Sequence, residues 1–453
     1  MHDPIIIQRD MADSSTGGVA KTAGRPIGLL GAYSIGIGGI IGGGIFATLG
    51  LAGEEARGAT YLSFLIGGVV ALLTVYSYAH LSLTYPNKGG TVVFINRAFG
   101  FGLFPGTLNI LLVLSYTILL AVYASALAVY GVTFFHGVDR IFTQKILAIG
   151  SIVVLALVNL IGPALAEKSG GAFNIGKLSI LSIFVIAGLT SSGLTLERLT
   201  PADWVPAADI VAGGMLVFLS YEGFELIANA APQIRDPHKN IPRALYGSVL
   251  IAIAFYLLII VVSLGHLTFE ALSKARDYSL CAAAEAFMGR GGFLLLAAGA
   301  VLSTASAINA GLYGASKIPV EMSHVDQVSG IFMRQIHGRH PIGLAIITGI
   351  TLLTVGYLNL RELSAAASAG FILVFAMVNL ANAKLATQTA SKWWISAVGA
   401  LVCMAALATM LFQLAQHPAS RYEVHMIAAL IGLSFIHQGM YQVVMKRAKK
   451  GRA

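Results

Sequence analysis

Long apolar stretches alternate with short polar segments along the whole chain, and most of the stretches are near the length of a membrane crossing. A spanning helix needs about 20 predominantly apolar residues. Twelve such stretches lie at roughly 27–51, 59–85, 101–135, 144–163, 170–191, 208–233, 243–266, 291–316, 341–358, 362–386, 392–414 and 423–445. The third is long enough to cross at a steep tilt. The pattern predicts an all-α polytopic membrane protein with 12 transmembrane helices. Composition agrees: 57% of the 453 residues are hydrophobic and 11% charged, where a soluble protein carries about 25% charged. Residues 1–26 are polar, with Ser14-Ser15-Thr16-Gly17-Gly18, and read as a flexible cytoplasmic tail without a secretory signal. Residues 446–453 read as a basic cytoplasmic tail.

Charge changes the picture by fixing an orientation. With the N-terminus inside, 19 of the Lys and Arg residues fall in cytoplasmic segments and 9 on the opposite side, which by the positive-inside rule places both termini in the cytoplasm. An even number of spans agrees. The net charge of +9 then speaks for cytoplasmic loops against anionic membrane lipid, not for nucleic acid. Cys281 and Cys403 both lie in apolar runs, so neither a disulfide framework nor a cysteine metal site is expected.

Two spans break the apolar pattern. The first contains Gly36-Ile37-Gly38-Gly39-Ile40-Ile41-Gly42-Gly43-Gly44-Ile45-Phe46. Glycine in a helix interior weakens it by about 1 kcal/mol relative to alanine, and a lipid-facing helix gains nothing from such a cluster. A helix that opens inside the membrane gains free backbone N–H and C=O groups, tolerated only where they line a cavity. The sixth span reads Ser220-Tyr221-Glu222-Gly223-Phe224-Glu225, with two carboxylates in an apolar run. A carboxylate at the bilayer centre costs at least ~2.5 kcal/mol and should face a cavity or a partner. With five spans per repeat, spans 1 and 6 occupy matching positions in two halves of opposite orientation. A matched pair of interrupted spans points to a transporter site between inverted repeats. The repeats would be 27–191 and 208–386, followed by 392–445 as the last two helices. N–H groups at Gly42, Gly43 and Gly44, near a half-helix N-terminus, suit a carboxylate.

These segments resemble a known family. Ile41-Gly42-Gly43-Gly44-Ile45-Phe46 is similar to the I-G-S-G-I-F signature of the amino acid–polyamine–organocation transporter superfamily. Tyr221-Glu222-Gly223-Phe224-Glu225, followed by Asp236-Pro237 and Asn240-Ile241-Pro242-Arg243, resembles its span-6 signature. Tyr85-Pro86-Asn87-Lys88-Gly89-Gly90 and Arg97-Ala98-Phe99-Gly100 resemble its loop between spans 2 and 3. The resemblance implies a LeuT-like core of two five-helix inverted repeats with broken helices 1 and 6, plus helices 11 and 12. It implies secondary transport of amino acids or related amines, with the substrate ammonium on the carbonyls of Ile40, Leu219 and Glu222. Two departures stand out. Gly43 replaces the Ser or Ala often found there, so no hydroxyl assists the carboxylate. Leu219 stands where the family often has an aromatic lid, leaving Phe218 or Tyr221 to serve.

The resemblance also gives Lys177, on span 5, the place that sodium fills in sodium-coupled relatives, with its ammonium against carbonyls near Gly38 and hydroxyls of span 8. Burial disfavours the charged amine, which would let it release a proton during the cycle. The plainer reading is a lysine snorkelling to the cytoplasmic surface. Ser303, Ser306 and Asn309 share one face of span 8; Ser303, Thr304 or Ser306 would bond Lys177, or these small residues simply pack helices closely. Glu225 matches a position where relatives place a gating acid, and could carry the proton or pair permanently inside the bundle. The Glu222 side chain could meet a cationic group. His80 is more simply a polar contact near the end of span 2 than a proton site. Tyr116, Tyr123 and Tyr130 recur every seven residues on span 3, as helix packing does.

Other chemistry has no footing in the sequence: no phosphate loop, H-E-x-x-H or nucleophile elbow is found. The expectation is therefore no enzyme, no metal and no cofactor. It is a permease moving an amino acid by alternating access, coupled to protons. A polyamine transporter or exchanger of the same fold is the alternative; from another class, a channel or a membrane sensor.

Overall fold

The computed structural model describes residues 26–161, 163–334 and 341–450. The expected tail at 1–25 and the last three residues of the basic tail lie outside the described residues. Helices account for nearly all of the rest. The chain forms α1 (Leu29–Ile40), α2 (Gly44–Ala56), α3 (Thr60–Thr84), α4 (Thr91–Phe99), α5 (Leu103–Gly131), α6 (Arg140–Ile161), α7 (Pro163–Thr190), α8 (Ala207–Leu216), α9 (Leu226–Ala230) and α10 (Pro237–His266). It continues with α11 (Ser279–Ala315), α12 (Pro341–Tyr357), α13 (Leu360–Lys384), α14 (Trp393–Gln416) and α15 (Arg421–Lys450). Among the described residues, 9 helices are long and apolar enough to cross a membrane, and two bent pairs raise the number to 11. The bent pairs are α1 with α2, at 44°, and α8 with the segment Phe218–Gln233, at 50°. They fall at the two stretches whose glycines and acids interrupt the apolar pattern. The ninth expected stretch forms α12, an apolar helix of 17 residues.

Burial separates a central layer from a lipid-facing one. The most apolar windows of α5 and α13 are 89% and 83% buried, against 17% in α6 and 22% in α15. Hydrophobic residues on the outer helices, such as Phe142, Leu401 and Phe435, are exposed, as a bilayer requires. Small residues let the central helices approach: a Cβ on Gly370 would lie 2.0 Å from the Ser115 hydroxyl.

Two features depart from the sequence pattern. The predicted loop between spans 2 and 3 contains α4, a nine-residue helix that buries Val92, Phe94, Ile95 and Ala98. Nine residues are too few to register as a span. The eighth expected stretch is preceded by more helix, because α11 starts at Ser279 and turns at Gly289, where φ is +64°.

The broken spans run antiparallel and are joined at both ends. At one end Ile27 N–H donates to the Gln233 carbonyl and Arg235 N–H to the Ile27 carbonyl, both at 2.9 Å. At the other, Arg57 bridges Trp204 and Gly58 N–H donates to the Asp203 carbonyl at 3.3 Å. Beside this second end Arg361, at the start of α13, pairs with Glu55 and with Glu423, at 3.2 Å for the latter. Between the ends the two backbones touch. Gly223 has φ +118°, and a Cβ there would fall 2.4 Å from the Gly39 carbonyl carbon. Only glycine meets both the dihedral and the contact.

Candidate functional site

The break in span 1 is built from its glycines. After α1 ends, Ile41 N–H donates to the Ile37 carbonyl at 2.9 Å and Gly42 N–H to the Ile40 carbonyl at 2.8 Å. The N–H groups of Gly43 and Gly44 find no partner among the described residues. They open α2, a helix of 13 residues, where unpaired donors and the helix dipole favour an anion. Of the three glycines expected to form the cradle, Gly43 and Gly44 keep free donors, whereas Gly42 spends its own on the turn. The space is tight. A Cβ on Gly44 would lie 2.6 Å from Ser220 Cα, and one on Gly43 2.6 Å from the Tyr123 ring. Residues 40–53 and 212–225 are all buried, so this form of the protein is closed around the break.

The break in span 6 is satisfied where the first is open. Phe218–Tyr221 forms one tight turn and Glu222 is extended. Ser220 N–H donates to the Val217 carbonyl at 2.8 Å and Glu222 N–H to the Leu219 carbonyl at 3.2 Å. Leu219 N–H donates to the Ser368 hydroxyl at 3.1 Å, and that hydroxyl donates to the Leu216 carbonyl at 3.1 Å. Glu225 is fully engaged: the Tyr116 hydroxyl donates to Oε1 at 2.5 Å and Gly223 N–H to Oε2 at 2.8 Å. Glu222 is the opposite case. It is 1% exposed and neither carboxyl oxygen has a hydrogen-bond partner among the described residues.

The three carbonyls implied for the substrate ammonium are not equally free. The Tyr256 hydroxyl, from α10, lies 2.7 Å from the Ile40 carbonyl and 2.8 Å from that of Ser220, joining the two breaks. The Leu219 carbonyl accepts from Glu222 N–H, while the Glu222 carbonyl accepts no backbone bond outside the helices. Thr48 and Ser220 hydroxyls meet at 2.7 Å and tie α2 to the same turn. Leu219, Phe218 and Tyr221 are all fully buried. Sequence reading passed over Tyr256, Ser368 and Thr48, because a Tyr, Ser or Thr in an apolar span carries no mark until its partner is known.

Lys177 sits on α7 and is 1% exposed. Its Nζ donates to the Gly38 carbonyl at 2.7 Å, and one turn earlier Asn174 Nδ2 donates to the Ser34 carbonyl at 3.1 Å. The lysine therefore bonds α1 just before the break. No hydrogen bond joins it to span 8 among the described residues. Thr304 turns its hydroxyl to the Ala300 carbonyl of its own helix, at 2.7 Å, a common habit of Thr inside helices. Ser303 is buried without a partner among the described residues, and Ser306 is half-buried. On α5, Tyr116 reaches Glu225, Tyr123 lies against Gly43, and the Tyr130 hydroxyl donates to the Phe46 carbonyl at 2.9 Å. This helical face therefore borders both breaks. Asn309 accepts from Asn159 at 2.8 Å. His80 lies 3.1 Å from the Thr389 carbonyl, away from the breaks. Among the described residues no group of His, Cys, Asp and Glu is arranged to hold a metal ion.

Antiparallel broken helices in a polytopic bundle, with free donors at one break and acids at the other, have the build of a membrane transporter for a small polar solute. Comparison with known proteins narrows this to a family. Residues 31–415 match the amino acid permease family, and the chain belongs to it: a transporter family, not an enzyme. The chain is 31% identical to the inner membrane transport protein YbaT of Escherichia coli (strain K12), over 94% of this chain and 97% of that protein. It is 27% identical to the chloroplastic cationic amino acid transporter 9 of Arabidopsis thaliana, over 71% of this chain and 60% of the relative. It is 22% identical to the methylthioribose transporter of Bacillus subtilis (strain 168), over 80% and 81%. This is an integral membrane protein of a transport family whose relatives differ in solute.

Proposed function

We propose that the chain is a secondary active permease that moves an amino acid across the cell membrane by alternating access about spans 1 and 6. The observation that carries this reading is the pair of unpartnered N–H groups at Gly43 and Gly44, which open α2 and suit a carboxylate. The substrate ammonium would be received by carbonyls of the same two breaks, at Ile40, Leu219 and Glu222. Twelve spans form two five-helix inverted repeats, 27–191 and 208–386, with α14 and α15 outside them, and both termini face the cytoplasm. Coupling is to protons. The cation of Lys177, held on the Gly38 carbonyl, takes the place of a sodium ion beside span 1. Ser303, Thr304 and Ser306 would turn toward it in another form of the cycle.

The test is uptake of labelled amino acids by the purified chain in lipid vesicles, with and without an imposed pH gradient. Uptake that rises with an inward proton gradient and ignores sodium supports the reading. Uptake that needs sodium contradicts the coupling, and no uptake of any amino acid contradicts the permease. One observation favours a second reading. The unpartnered carboxyl of Glu222 is suited to an amine, so a polyamine carrier or an exchanger of cationic substrates would show uptake of amines that lack a carboxylate.

A further inference from the structure

Two carboxylic acids stand three residues apart in the break of span 6, and the chain treats them oppositely. Glu225 accepts two hydrogen bonds, one from the Tyr116 hydroxyl and one from Gly223 N–H. An ionised carboxylate is an acceptor only, so two donors favour the charged form here against the cost of burial. Glu222 has no donor on either oxygen and no ion pair among the described residues. A bare buried carboxylate is penalised heavily, whereas the neutral acid is penalised far less.

The surroundings reinforce the difference. The titratable groups near Glu222 are Glu225 in its own break, whose charge acts on it, and Tyr78 from α3 with Tyr116 and Tyr123 from α5, on which its own charge acts. None of them supplies a positive charge. The backbone of Glu222 is held on one side only, by its N–H on the Leu219 carbonyl at 3.2 Å. Its carbonyl accepts no backbone bond outside the helices, and Gly223, with φ +118°, gives the chain a pivot directly after it.

Resting on the permease reading above, we propose that Glu222 is the acid that exchanges the coupling proton: it holds a proton while the breaks are closed and releases it when span 6 swings open to water. Glu225 is then the fixed charge that keeps its neighbour neutral, and Tyr116 is the positioning residue that holds Glu225 in that state. The step is a plain proton transfer to water and requires no co-reactant.

The test uses the full chain in lipid vesicles, with a mixture of the common radiolabelled amino acids as the probe. Two modes are compared: accumulation driven by a pH gradient, and exchange of labelled for unlabelled amino acids at equal pH. In Glu222→Gln the ratio of driven accumulation to exchange falls about tenfold. A ratio equal to that of the wild type overturns the proposal. If Glu222→Gln does not fold, Glu222→Asp keeps an acid on a shorter arm; driven uptake then persists with its pH profile displaced, and an undisplaced profile overturns the proposal. A wild-type chain that moves no amino acid in either mode fails the permease reading itself, which separates that failure from this one.

Discussion

The two broken spans solve the same backbone problem in contrary ways. Span 1 opens with glycines and leaves the N–H groups of Gly43 and Gly44 unpaired, so its break offers positive dipole ends to an anion. Span 6 opens through a tight turn and pairs the N–H groups of Ser220, Glu222 and Gly223 within itself and that of Leu219 with Ser368 of α13, so its break offers negative groups. Set antiparallel and in contact at Gly39 and Gly223, the two make a dipolar slot. An amino acid carries both of its charges within a few ångströms. On the proposed reading, recognition would reside in complementary backbone states rather than in paired side chains.

The anion end is the more sensitive of the two breaks. Gly44→Val places a branched side chain where a Cβ alone would lie 2.6 Å from Ser220 Cα. The backbone must move, and amino acid affinity falls by about tenfold to a hundredfold; calorimetric titration of the purified chain reads this. Lys177→Ala removes the donor on the Gly38 carbonyl just ahead of the same break. The lost bond from a charged group is worth about 1.5–3 kcal/mol, and pH-driven uptake disappears. Unchanged pH-driven uptake in this variant removes Lys177 from the coupling.

The other end of the slot responds more mildly. Tyr116→Phe leaves Glu225 Oε1 without its donor and destabilises the chain by about 1–3 kcal/mol, read as a lower unfolding midpoint in detergent. Ser368→Ala frees the Leu219 N–H and makes the span-6 break more like the span-1 break. It costs about 0.5–1.5 kcal/mol and weakens the contrast between the two ends, so selectivity for amino acids over amines falls with it.

The positions of both breaks were legible in the sequence, because clustered glycine and paired glutamate have no business in a lipid-facing helix. Lys177 was marked out by the family resemblance, and its cost in an apolar span agreed with that. What the pattern of residue types could not carry was the state of each group. Gly42, Gly43 and Gly44 look alike as letters, yet Gly42 donates to Ile40 and the other two remain free. Glu222 and Glu225 are the same residue in the same break. Their opposite fates depend on Tyr116, which lies 109 positions from Glu225. The Thr304 hydroxyl, one of three offered as a partner for Lys177 against simple helix packing, bonds its own helix, because a carbonyl four residues back is always within reach. The helix α4 escaped notice since its nine residues are too short to stand out between two long apolar runs.

The account stands on the claim that Gly43 and Gly44 hold a carboxylate. Thermal unfolding of the detergent-purified chain, followed with each common amino acid and with its decarboxylated amine, tests that claim most directly, since a ligand of the folded state raises the unfolding temperature by mass action. The account predicts stabilisation by one or more amino acids and none by the matching amines. Equal or greater stabilisation by the amines contradicts it, and would move recognition to Glu222 and the acidic break.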